Sequence, residues 1–223
     1  MNISKRLKEV SNLIEKESSI LDVGTDHGYL PLFLEENRNF EKIVATDISI
    51  DSLNKLKSKL DKNSKIETKL QDGLEYLIDN EAEYVSICGM GARLIINILE
   101  KAKPYREKAK YYIFQPNTTI YELREYLLIN GFKILDEVSV VEDGYYYNII
   151  KATFGQKEDY KDYELKYSKI LLEKKDKNTL NYLKKEKDRY IFIREKENIS
   201  DNRKKQIEKE LILIERALKR YEL

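Results

Sequence analysis

The run DVGTDHGYLP, residues 22–31, decides how the chain is read. It follows the apolar pair Ile20-Leu21, turns through Gly24, Asp26 and Gly28, and leads into Tyr29-Leu30-Pro31. An apolar strand, a glycine-bearing turn and a helix start, in that order, make a first strand–helix unit. Outward from it the pattern repeats. Apolar runs at 42–46, 65–70, 84–88 and 111–114 read as buried strands, with helix-like segments near 29–37, 49–62, 92–103 and 119–130 between them. Upstream, Ile3, Leu7, Val10 and Ile14 share one helical face. Downstream, Asn130-Gly131 is a helix stop. Residues 132–154 then read as two strands around Asp143-Gly144. The prediction is an α/β fold: a Rossmann-like, doubly wound parallel sheet with right-handed crossovers and an antiparallel hairpin at one end.

Composition narrows the setting. The chain has 223 residues, 41 Lys+Arg, 40 Asp+Glu and a formal net charge of +1. Charged residues make up 36%, against about 25% in an average globular protein. Hydrophobic residues make up 41%, enough to bury a core. No run approaches the roughly 20 apolar residues of a membrane span. MNISKRLKEV lacks the apolar centre of a signal peptide, so the expectation is cytoplasmic. One cysteine and one histidine exclude an internal disulfide and a Cys/His zinc cluster, and no metal is expected.

The near-neutral total hides an asymmetry. Residues 155–223 carry 20 basic and 15 acidic side chains, +5, while residues 1–154 carry 21 and 25, −4. After Gly155 the style changes: from about 158 there is no proline or glycine, and Lys, Glu, Leu, Ile and Tyr dominate. Ile207, Leu211, Ile214, Leu218 and Tyr221 follow a coiled-coil spacing. Leu180, Leu183 and Tyr190 suggest a facing helix, and Asn198 to Asp201 a break with an N-cap. Two domains are expected: an α/β domain over 1–154 and an all-α coiled-coil hairpin over 155–223, with a short helix near 160–174.

The first loop names a ligand class. A dinucleotide site asks for G-x-G-x-x-G, but the second and third glycine positions hold Asp26 and Tyr29. Asp22 and Asp26 flank the turn, where a pyrophosphate wants no anion. They suit a cationic ligand, and S-adenosylmethionine carries a sulfonium and an ammonium. Gly24 permits the sharp turn; Gly28 is expected to let ligand and helix approach. A helix-capping Asp26 is the plain alternative. His27 is expected to orient the loop or touch the donor. Asp47 ends the second strand, 19 residues after Gly28, where an acid accepts from ribose hydroxyls; Ile48 follows it. Asp72-Gly73 after the third strand offers a carboxylate to an adenine amino group, or a helix cap.

The later loops offer surface for a substrate base. Gly89 and Gly91 leave room beside bare backbone, and Met90 is deformable. Cys88 reads as a small core residue. Gln115 and Asn117 each present a donor and an acceptor, with Pro116 stiffening the turn. Of Tyr145, Tyr146 and Tyr147 at the hairpin tip, one can stack on a nucleobase. In the tail, Lys184, Lys185, Lys187, Arg203, Lys204 and Lys205 are candidates for a polyanion, or a solvated helix surface.

Taken together these residues resemble the class I S-adenosylmethionine-dependent methyltransferases. More closely, the chain is similar to the bacterial tRNA adenine(22)-N1-methyltransferase family. The resemblance runs from SKRL (Ser4 to Leu7) through DVGTDHGYLP, QDGLE, GMG, QPN and EDGYYY to the helical tail. Three positions depart from it: the fourth loop reads CGMGA where the family usually has AGMGG, a difference at Cys88 and Ala92, and Tyr145 stands where a lysine is common. Tyr147 matches the family's tyrosine. The resemblance implies S-adenosylmethionine as cofactor, tRNA as substrate and partner, and methylation at N1 of a D-arm adenine. On that reading Asp26 stabilises charge near the adenine N6, with Asn117 or a GMG carbonyl as supporting acceptors. Asp22, Gly24, Asp26, His27, Gly28, Asp47, Ile48, Asp72, Gly73 and Gly89 hold the cofactor. Met90, Gly91, Gln115, Pro116, Asn117 and Tyr147, with Lys184, Lys185, Arg203 and Lys204, meet the tRNA. A monomer is favoured over a homodimer. The competing readings are a methyltransferase for a small molecule or protein whose tail dimerises, an NAD-dependent oxidoreductase, and a non-catalytic RNA-binding scaffold.

Overall fold

Runs such as ILDV and KIVATD are apolar on both sides, so they are stable only where both sheet faces are covered. The computed structural model, which describes residues 3–15, 18–37, 40–155, 158–196 and 200–222, builds them into one seven-stranded sheet. The strands are β1 (Ser19–Val23), β2 (Lys42–Asp47), β3 (Ile66–Leu70), β4 (Ala82–Met90), β5 (Ala109–Pro116), β6 (Phe132–Glu142) and β7 (Tyr145–Phe154). Their order is β3-β2-β1-β4-β5-β7-β6. Neighbours from β3 to β5 are parallel, and only β7 runs against both β5 and β6. This is the expected Rossmann-like sheet, with the hairpin's second strand inserted beside β5.

Among the described residues α1 (Lys5–Asn12) precedes the sheet, and four α-helices connect its strands: α2 (Tyr29–Asn37), α3 (Ile50–Lys57), α4 (Ala92–Lys101) and α5 (Ile120–Ile129). Ser4 and Ser49 cap α1 and α3, each hydroxyl accepting a backbone N–H of the first turn. α3 ends at Lys57, short of the expected 62, because the next residues turn around Asp61, whose carboxylate accepts from the Asn63 N–H. One core holds Val10, Ile14, Ile20, Leu30, Leu34, Ile43, Ile113, Val140 and Ile149. Each buried Val, Leu or Ile contributes roughly 1.5–3 kcal/mol. That burial is what fixes α1, since an isolated eight-residue helix is marginal. α1 lies against β6, β7 and α2.

The chain divides into two compact units, Met1–Glu158 and Asp159–Leu223. The second holds α6 (Asp162–Tyr167), α7 (Lys169–Glu173), α8 (Lys177–Arg194) and α9 (Asp201–Glu222). The single helix expected near 160–174 is broken at buried Ser168, with φ +70°, whose hydroxyl caps α7. Asp176 caps α8. Ser200 caps α9 by accepting the Arg203 N–H; the Asn198-Ile199 part of the expected break lies outside the described residues. Ile207, Leu211, Ile214 and Ala217 are buried along α9 and Leu183 on α8, with Leu218, Tyr221 and Tyr190 half-buried. The Tyr221 hydroxyl donates to the Asp176 carbonyl, tying the end of α9 to the start of α8. Among the described residues no helix is long and apolar enough to cross a membrane.

Candidate active site

In an open α/β sheet the ligand crevice opens beyond the carboxyl ends of the strands where their order reverses. Here that point lies between β1 and β4. The loops after both strands meet there around a cleft of about 190 Å³. Asp22, Gly24, Asp26, Gly89 and Gln115 line it. Gly24 has φ +68°, and a Cβ there would overlap the Met90 methyl, so the first and fourth loops close on one another at this residue. Asp22 is buried and its carboxylate accepts from the Ser86 hydroxyl of neighbouring β4 at 2.5 Å. Burial pushes the Asp22 carboxyl above the ordinary aspartate range, against the Ser86 hydrogen bond. A cation placed in the cleft therefore relieves a desolvated acid.

Asp26 takes a left-handed backbone, φ +51°, which Asp tolerates better than most residues. Its carboxylate is well exposed, and the His27 Nε2 lies 3.8 Å from its Oδ1. Asp47 holds this strained turn: its Oδ2 accepts the Asp26 N–H at 3.0 Å and its Oδ1 the Ser49 N–H at 2.8 Å. Each Asp47 oxygen keeps a second lone pair for a ligand hydroxyl. Beside it Ile48 is 75% exposed, an apolar surface at the end of β2.

Gly28 is corrected. It is buried, and a Cβ there would lie 2.9 Å from Leu56 Cγ and Cδ2. The close approach it permits is between the start of α2 and the α3 side chain, not between helix and ligand. Asp72 is also engaged differently from the expectation: Lys101 donates to its Oδ2 at 2.8 Å and the Glu75 carboxylate accepts its N–H. Gly73 sits against Ile98. Asp47, Ile48, Asp72 and Gly73 lie outside the lining of the cleft, as do His27, Gly28, Met90, Gly91, Pro116, Asn117 and Tyr147. Cys88 lines it, but burial pushes its thiol up, as suits a core residue.

The far wall is built at the end of β5. β4 carries a bulge at Gly89, between the Cys88–Gln115 and Met90–Pro116 pairs. Such bulges re-aim backbone beside functional sites. Asn117 fastens it: its backbone N–H donates to the Met90 carbonyl at 2.7 Å and its Nδ2 to the Gly89 carbonyl at 2.6 Å. The Asn117 Oδ1 accepts from Arg6 Nη1 at 3.1 Å and from Gln115 Nε2 at 3.3 Å. This corrects the Asn117 part of the expected acceptor role, because both lone pairs of that oxygen are in use, whereas the Gly89 carbonyl accepts one donor and keeps a second lone pair. Pro116 continues β5 and is buried. Gly91 is the N-cap of α4, beside Thr118.

Sequence reasoning missed Arg6, Ser4 and Leu7, which α1 brings to the cleft. Arg6 Nε donates to Glu142 Oε2 at 2.7 Å, and its guanidinium lies 4.5 Å from the centre of the Tyr147 ring. Half-buried Tyr147 thus belongs to the same corner, while Tyr145 is exposed. In the second unit Lys184, Lys185, Arg203, Lys204 and Lys205 are exposed, and Lys187 pairs with Glu215.

Residues 3–150 match the family model described as a methyltransferase domain. Over 161 residues the chain is 33% identical to the tRNA (adenine(22)-N(1))-methyltransferase of Bacillus subtilis (strain 168), covering 71% of this chain and 68% of that relative. The chain belongs to the tRNA (adenine(22)-N1)-methyltransferase family. Two solved structures extend the likeness. TrmK of M. capricolum, in complex with S-adenosyl-homocysteine, is 27% identical with a TM-score of 0.84 over 98% of this chain and 99% of that one. Sp1610 of Streptococcus pneumoniae, in complex with S-adenosyl-L-methionine, is 25% identical with a TM-score of 0.85 over 97% and 100%. The methyltransferase match begins ahead of α1 and ends within β7, so it takes in both Arg6 and Tyr147.

Proposed function

We propose that the chain transfers a methyl group from S-adenosylmethionine to N1 of adenine 22 in tRNA. The observation that carries this reading is the cleft beyond β1 and β4, rimmed by Asp22 and Asp26 on either side of Gly24. The residues present fit the donor. Asp22 supplies a buried acid for a cationic end, Asp47 two anchored oxygens for a ribose, and Ile48 an exposed apolar surface for a base. Among the described residues, chain neighbours apart, nothing lies within 4 Å of where a Gly89 Cβ would sit, which leaves that wall open.

When bound, the donor supplies an electrophilic methyl on a sulfonium. The adenine N1 carries an in-plane lone pair and needs no metal to attack it. The new N–C bond forms as the C–S bond breaks, and the methylated base is cationic until N6 loses a proton. The protein's task is chiefly orientation. Asp26 is the carboxylate we assign to the N6 side, since it is exposed in the cleft while both lone pairs of the Asn117 oxygen are occupied; the Gly89 carbonyl keeps one lone pair as a supporting acceptor. The loops of Gly89 to Gly91 and Gln115 to Asn117 form the wall against which the base is held, with Tyr147 at its edge. If the adenine is paired or stacked, exposing it costs a few kcal/mol.

The working unit we envisage is a cytoplasmic monomer: a methyltransferase domain over 1–154 and a helical tail over 155–223, with +5 on the tail. Lys184, Lys185, Arg203 and Lys204 are assigned to the tRNA backbone. The test is incubation with unmodified tRNA and labelled donor, then nucleoside analysis and position mapping. Label in 1-methyladenosine at position 22 is expected; label elsewhere, or none, refutes the reading.

A further inference from the structure

The side-chain amide of Asn117 has a defined polarity. Its oxygen faces Arg6 and Gln115, and its nitrogen faces the Gly89 carbonyl. A guanidinium has five donors and no acceptor. Turned over, the amide would set its NH₂ against Arg6 and its oxygen against a carbonyl. Arg6 is itself held from three sides. Its Nη1 also donates to Gln115 Oε1 at 3.1 Å, its Nε to Glu142, and its face lies over Tyr147. Glu142 accepts the Lys5 backbone N–H as well, at 2.6 Å, which fixes the start of α1. Burial works to raise the Glu142 carboxyl, but these donors outweigh it and hold it below the usual range. The Arg6 charge is therefore matched beside a cleft that has to admit a cationic donor.

We propose that Arg6 is a positioning residue for methyl transfer, holding the Asn117 amide so that the bulged loop after β4 and the turn after β5 form one wall. The inference rests on the reaction proposed above and goes beyond it by naming the group that sets the site's shape. Lysine is a poor replacement, because one ammonium cannot reach two amide oxygens and a carboxylate in the fixed directions of a guanidinium.

The test compares wild type, Arg6→Met, Arg6→Lys, Asn117→Ala and the double variant Arg6→Met/Asn117→Ala. Steady-state methylation of unmodified tRNA, S-adenosylmethionine binding by calorimetry and thermal melting are measured for each. Arg6→Met and Arg6→Lys are both expected to lower kcat roughly 10–100-fold, the effect of a misplaced wall, with donor affinity within about threefold. Added to Asn117→Ala, Arg6→Met is expected to lower kcat no further, because the two act as one unit. Multiplicative losses in the double variant, or wild-type kcat in Arg6→Met, overturn the proposal. The Asn117 side-chain amide resonances read the same contact without turnover. They are expected to shift in Arg6→Met, where the amide oxygen loses one of its two donors, and unchanged resonances also overturn the proposal. A wild type inactive on tRNA would sink the proposed reaction, while the amide resonances would still decide the role of Arg6.

Discussion

Gly28→Ala separates a packing role from a ligand role. Gly28 has φ +71°, and its Cβ direction is filled by Leu56, itself fully buried. Two costs add. Left-handed backbone costs an L-residue roughly 1–2 kcal/mol. A methyl forced into filled core costs about 1–3 kcal/mol more. The total is about 2–5 kcal/mol. In a domain of this size each kcal/mol lowers Tm by about 2–4 °C, so a fall of roughly 4–20 °C is expected by calorimetric melting. Below the transition, S-adenosylmethionine affinity is expected to stay near wild type, since the added methyl points at α3. Gly24→Ala is the control. It bears the same backbone strain, but what it meets is the movable end of Met90. Its melting falls less, by roughly 2–8 °C, and its donor binding weakens as the thioether is pushed aside. The reverse pattern for Gly28→Ala, an unchanged Tm with lost donor binding, would show that the ligand and not Leu56 occupies that side.

Three further outcomes follow from the site. Asp26→Ala is expected to lower kcat on saturating tRNA and donor by roughly 10²-fold or more, the scale of a general acid–base contribution; near-normal turnover removes Asp26 from the chemistry. Asp22 carries a sign. Its folded carboxyl lies above its unfolded value, so its contribution to stability is greatest below the unfolded value and is lost as pH rises towards the folded one. A cationic donor favours the ionised form. Donor affinity should therefore rise across that window with release of a proton, seen by calorimetry in two buffers of different ionisation enthalpy. Asp22→Asn should abolish the release and weaken binding roughly 10–100-fold; proton uptake on binding would contradict the assignment. Neutralising Lys184, Lys185, Arg203 and Lys204 together is expected to reduce the salt slope of tRNA binding by up to about 4 and leave donor binding alone; unchanged tRNA affinity at moderate salt refutes the tail assignment.

What could be read from the residues, and what could not, divides along one line. The strands were legible because runs such as IVAT and VSIC keep their meaning wherever they fall in the chain, and Asp143-Gly144 marks a hairpin by local backbone preference alone. The acidic first loop was legible because its residues are consecutive. A local pattern does not reveal which way a residue faces, and Gly28 shows it. The turn demands a glycine, yet whether the empty side meets ligand or Leu56 depends on where α3 packs. The break at Ser168 escaped for a related reason, since its left-handed backbone and its cap on α7 show only in the folded chain. Arg6 escaped most completely. Its partners stand 109, 111 and 136 residues away; SKRL, QPN and EDGYYY are each legible as motifs, but nothing in them says that they meet. The groups that contact a ligand cluster in strand-end loops and leave motifs. The group that orients them is drawn from wherever the topology brings a long cation to the rim, so such groups are found by asking which polar side chain has its hydrogen-bond polarity imposed from outside its own loop. Asn117 answers that question here, and the answer is Arg6.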